Sequence, residues 1–114
     1  MQNYNGYPVA LAASADETDP TTSTILADTG ALPGGIYEVR VTLGASAAAK
    51  FAVQRRNAAN DATVGDVIII YCAANVAVVH PLKYALEPNE RVRVTMATNL
   101  TGTGVAAVIA QRCG

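Results

Sequence analysis

At 114 residues the chain has room for one domain and not for two. Hydrophobic residues make up 51% of it but aromatics only 5%, so a core must be assembled from Val, Ile, Leu and Ala, which bury little area each; assembly with neighbours is therefore an expected source of stability. A net charge of −1, with eight Lys and Arg scattered along the chain, excludes the basic stripe of a nucleic-acid binder, and no apolar run reaches the ~20 residues of a bilayer span.

Residues 1–22 have a texture of their own. Tyr4, Gly6, Tyr7 and Pro8 lead into an Ala-rich stretch from Val9 to Ala15, then into the acidic, Thr-rich run from Asp16 to Thr22. Small polar residues and Pro seldom repay their own ordering entropy, so this segment is expected to be an arm that either stays mobile or lies along a partner surface, with Val9 to Leu11 able to form a short strand on such a surface. Tyr4, Tyr7, Val9 and Leu11 are the expected contacts with a partner or a neighbouring subunit, because Tyr buries a large area behind a polar tip. No basic stretch followed by an apolar one opens the chain, so no secretory leader is expected.

Residues 23–114 predict a β-sandwich. Apolar side chains fall on every second residue in Tyr37-Glu38-Val39-Arg40-Val41-Thr42-Leu43 and in Arg91-Val92-Arg93-Val94-Thr95-Met96, the pattern of strands wet on one face. Strands are expected at 24–28, 35–43, 50–57, 67–73, 76–86, 91–98 and 104–111, seven in all, or eight if the arm adds one. Turn residues separate them: Leu32 to Gly35, Gly44 to Ser46, Asn57 to Asp61, Ala74-Asn75, Glu87 to Glu90 and Asn99 to Gly102. Pro81 lacks an N–H for a central ladder, which marks 76–86 as an edge strand, a bent pair or a crossover between sheets. The expected fold class is all-β, a single jelly-roll-like antiparallel sandwich behind a short arm.

Chemistry-bearing residues are sparse. His80 is the sole imidazole, whereas a histidine metal site needs several donors converging and a nucleophile needs a base beside it, so neither metal, cofactor nor catalytic residue is expected. Thr101-Gly102-Thr103-Gly104 lacks the Lys of a phosphate loop and reads as a turn. Asp16, Glu17 and Asp19, like Glu87 and Glu90, lie in arm or turn segments where acids solvate the chain. Cys72 follows an apolar strand and is expected buried, while Cys113 is expected near the surface. Arg91, Arg93 and Thr95 share one strand face. Together with Arg55 and Arg56 these arginines are either a solvated sheet face or partners in intersubunit ion pairs with Glu38, Asp61, Glu87 or Glu90.

Phe51 to Asp61, with Gln54-Arg55-Arg56-Asn57-Ala58-Ala59-Asn60 at its centre, resembles the small structural proteins of tailed-bacteriophage virions, as do Leu86 to Val94 and Asn99 to Gly104. The resemblance is to head-decoration, or cement, proteins. It implies a jelly-roll-like protein without enzyme activity, often trimeric, that binds the major capsid protein on the outer surface of the head and bridges capsomers, with the arm clasping the shell or a neighbour. It would be made in the host cytoplasm and reside in the virion. A receptor- or glycan-binding module of a head or tail fibre is the alternative, opposed by the shortage of aromatics outside the N-terminus.

Overall fold

In the computed structural model, which describes residues 9–14 and 16–114, nine strands form two antiparallel sheets, with no helix among the described residues. The strands are β1 (Val9–Ala13), β2 (Glu17–Thr18), β3 (Ile25–Asp28), β4 (Gly35–Ala45), β5 (Ala49–Arg56), β6 (Ile68–Cys72), β7 (Val78–Leu86), β8 (Arg91–Met96) and β9 (Thr103–Arg112). One sheet runs β1-β9-β4-β7, with β2 also beside β9; the other runs β3-β8-β5-β6. From β3 to β9 the chain changes sheet at every connection except β5 to β6, which is the alternation of a jelly roll.

The expected sandwich is therefore formed, and each of the seven expected strands from β3 to β9 appears within two residues of its expected ends. The period-2 pattern is the reason. Tyr37, Val39, Val41 and Leu43 of β4 and Ala106, Val108 and Ala110 of β9 face inward from the first sheet. Phe51 and Val53 of β5, Val92, Val94 and Met96 of β8 and Ile70 of β6 meet them from the second. Phe51 and Tyr37 are fully buried, and the Tyr37 hydroxyl donates to Pro33 O at 2.7 Å, so its one polar atom is satisfied. Burial pushes that phenol's pKa up, with Arg112 opposing the shift.

Turns close where Asn accepts a left-handed backbone: Asn60, Asn75 and Asn89 all have positive φ. Gly102, at φ 134, is demanded twice over, because a Cβ there would lie 2.5 Å from Ser46 Oγ, the atom that accepts Thr103 N–H. Pro81 is accommodated in β7, which has β4 on one side and, among the described residues, no strand on the other.

Of the segment expected as an arm, residues 9–13 form β1 and pair along β9 of the same chain, Val9 opposite Gln111 and Leu11 opposite Ile109. Ala10 and Ala12 pack against the core while Val9, Leu11 and Ala13 point out. Further on, Asp19 anchors the chain to the last turn: Gly102 N–H donates to its carboxylate at 2.8 Å, and Asp19 N–H to Gly102 O at 2.7 Å.

Candidate interaction surfaces

Each sheet turns one face to the core and one to solvent, and the two outer faces differ in chemistry. On the first sheet the register lines up rows across four strands: Leu11, Ile109, Arg40 and Pro81 form one, Ala13, Ala107, Thr42 and Val79 the next. Leu11 is 72% exposed, Val9 59% and Val79 58%. With Ile109 and the half-buried Val105, Leu11 and Val9 make an apolar field over β1 and β9, of the kind that marks association sites, to which Val79 adds from β7 beyond Thr42. In the row of Val9 and Gln111 the surface becomes charged, Glu38 lying opposite Lys83, and a shallow groove of about 440 Å³ runs between Glu38, Arg40, Lys83, Ile109 and Gln111.

The outer face of the second sheet carries arginines. Arg56 of β5 lies directly opposite Arg91 of β8, and Arg93 lies opposite Gln54. Arg56 is braced by neutral acceptors, donating to Asn60 Oδ1 at 3.3 Å, Thr63 Oγ1 at 3.1 Å and Asn60 O at 3.1 Å. Arg93 donates through Nε to Gln54 Oε1 at 3.3 Å, and Gln54 in turn donates to Thr95 Oγ1 at 3.0 Å. Partial burial, and then the neighbouring Arg56 charge, lower the pKa of Arg93, with Asp28 opposing them. Arg91 reaches Asp28 Oδ1 at 3.6 Å. Beside this cluster, Ile25 and Ile69 are half exposed and Tyr71 is 67% exposed, with Lys50 Nζ 5.3 Å from its ring centre.

Arg55 points the other way. Its register partner is the buried Val92, and it pairs within the chain with Glu90, Nη2 to Oε1 at 2.6 Å and Nε to Oε1 at 2.8 Å. The same Glu90 oxygen accepts the Glu87 N–H at 2.7 Å, so one carboxylate only 5% exposed fastens the β7–β8 turn to β5. The four arginines singled out in the sequence thus divide, three on an outer face and one turned inward.

Of the expected arm contacts, Val9 and Leu11 stand on the apolar field, and Tyr4 and Tyr7 lie outside the described residues. What sequence reasoning missed was the pairing of that segment with β9 and the in-register contribution of Ile109 and Val79. The only sequence signal was the alternation of side-chain size in Val9-Ala10-Leu11-Ala12. His80 sits on β7 and Cys72 on β6, in different sheets. Cys72 is buried and burial pushes its thiol pKa up; Cys113 is exposed, and both are free. Among the described residues no three His, Cys, Asp or Glu side chains gather as a metal site would require.

No protein-family model matches the chain, and no curated protein matches it in sequence. Solved structures do match in shape. The globular domain of zebrafish complement 1qA protein is similar at TM-score 0.62 and 8% identity, over 92% of this chain and 95% of that one. The CBM22-1–GH10 modules of a Clostridium thermocellum endo-1,4-beta-D-xylanase, complexed with xylohexaose, match at TM-score 0.63 and 16% identity, over 98% of this chain but 27% of that one. A third match, the enzymatically active domain of tailspike protein 4 of bacteriophage CBA120, has TM-score 0.49 and 12% identity, over 95% and 19% of the two chains. At these identities the first two likenesses establish the fold alone, a jelly-roll-type sandwich.

Proposed function

We propose that this chain is a non-enzymatic virion structural protein, a decoration or cement protein that binds the outer surface of a tailed-phage head as a homo-trimer and bridges capsomers. The observation that supports it best is the apolar field of Val9, Leu11, Ala107, Ile109 and Val79, which a lone copy leaves in water. A core with one Phe and no Trp stands to gain from burying such a field against a second copy. Symmetry then multiplies each weak contact with the capsid protein, which suits a cement role. Tyr4 and Tyr7 are the proposed reach toward the shell. The copy number per purified virion, measured by quantitative mass spectrometry against the major capsid protein, tests the reading. A value comparable to that of the capsid protein supports it, and absence from particles discards it.

A second reading is a receptor- or glycan-binding module of a head or tail fibre. It draws on the groove beside Glu38, Arg40, Lys83 and Gln111, whose polar groups suit sugar hydroxyls, and on the likeness to a xylanase complexed with xylohexaose. Specific hits on a glycan array, abolished by Arg40→Ala, would favour it over the first.

A further inference from the structure

The outer face of the β3-β8-β5-β6 sheet holds an arrangement that folding alone does not explain. Like charges placed directly opposite on paired strands repel, yet Arg56 and Arg91 occupy such a pair. Arg93, two residues along β8, brings a third guanidinium to the same face. Stems at these positions rise within about 5–8 Å of one another, so the long side chains share one patch. Against these three positive charges stands the carboxylate of Asp28, which is itself engaged by Gly30 N–H at 2.8 Å.

The cluster is also built to stay in place. Asn60 and Thr63 hold Arg56, and Gln54, itself anchored by Thr95, holds Arg93, with neutral oxygens that orient without neutralising. Among the described residues, Arg91 Nε is buried without an acceptor, and Arg93 donates through Nε alone, leaving its terminal amino groups for another acceptor.

We propose that Arg56, Arg91 and Arg93 form a carboxylate-binding site, whose ligand is an acidic side chain presented by a partner protein. Guanidinium groups match carboxylates in paired, charge-assisted hydrogen bonds. Asp28 already shows the cluster accepting one carboxylate. Ile25, Ile69 and Tyr71 border the cluster with exposed apolar area, which with Arg is the composition of protein–protein contacts rather than of a site for a free ion. The site stands on the face opposite the apolar field and does not depend on what that field binds.

The test is an NMR titration of the full-length protein, following arginine Nε–Hε signals at fixed ionic strength. The probes are a blocked tetraglutamate peptide, citrate and inorganic phosphate. Saturable shifts of Arg91 and Arg93 are expected, with the peptide and citrate bound more tightly than phosphate. Arg93→Gln and Arg91→Gln should each weaken the peptide about tenfold or more, the loss of one charge-assisted pair. Asp28→Asn should tighten it several-fold by removing the internal competitor, a gain that a purely structural role for these arginines does not produce. Arg112→Gln, on the other sheet, serves as the control for net charge. Unsaturable shifts, tighter binding of phosphate than of the peptide, or equal weakening by Arg112→Gln would overturn the proposal.

Discussion

Glu90 is the side chain on which the inward-facing end of β5 depends, and replacing it by Gln tests that dependence directly. In the native chain its Oε1 accepts from Arg55 Nη2 at 2.6 Å, Arg55 Nε at 2.8 Å and Glu87 N–H at 2.7 Å. Glu90→Gln keeps an acceptor oxygen for the turn but removes the charge, stranding Arg55 opposite Val92. Breaking a buried ion pair from one side costs about 3–5 kcal/mol. The Arg55 side chain is 24% exposed, so water partly compensates it and the lower end, about 3 kcal/mol, is expected. For a domain of this length that lowers Tm by about 10–15 °C. Urea unfolding of the wild type, Glu90→Gln, Arg55→Gln and the double variant closes a thermodynamic cycle, with a coupling of about 2 kcal/mol expected between the two residues. Loss below about 1 kcal/mol in Glu90→Gln, or strict additivity of the two changes, would refute the reasoning that this pair holds the turn to the sheet.

Gly102→Ala should destabilise by about 2–3 kcal/mol in the same assay, since it meets both a disallowed φ and Ser46 Oγ, whereas Gly30→Ala, at φ 73 with open space around it, should cost about 1 kcal/mol. Equal effects would show that steric contact with Ser46 adds nothing. Phe51→Ala should lose about 3–5 kcal/mol, because it empties the largest apolar side chain from the centre of the core; near-native stability would mean that the neighbouring valines collapse into the space. Under native conditions a thiol reagent should label Cys113 promptly and Cys72 only as the protein unfolds, because burial both shields the Cys72 sulfur and disfavours its thiolate; fast labelling of both would contradict its burial. Leu11→Lys should leave the sandwich folded while shifting the proposed trimer to monomer by analytical ultracentrifugation, and an unchanged mass would remove the apolar field from the proposed assembly contact.

The strands of the sandwich were legible because alternation of apolar and polar residues needs only local information, and Asn and Gly mark the turns where backbone geometry demands them. The first strand was not legible as part of the sheet. Its outward residues are Val9, Leu11 and Ala13 and its inward ones Ala10 and Ala12, so both faces are apolar and polarity carries no alternation. Arg55 misled for a related reason: in Val53-Gln54-Arg55-Arg56 the inward position is filled by a charge, which is tolerable only because Glu90 reaches it from a distant turn. The shared face of Arg91 and Arg93 could be read from their spacing, whereas the addition of Arg56 requires the β5–β8 register, which no local pattern encodes.

The position of β9 has a consequence for how the protein is made. It is the last of the nine strands to leave the ribosome, yet it lies in the middle of its sheet, between β1 and β4, and also receives β2. Until Thr103–Arg112 emerge, β1 and β2 have no strand to pair with and β4 lacks one of its two neighbours. Synthesis interrupted before that point yields a chain whose first sheet is split in two, so the sandwich closes only once its ninth strand has been made. Until that strand arrives a nascent chain of this design exposes unpaired strand edges, the condition under which aggregation competes with folding.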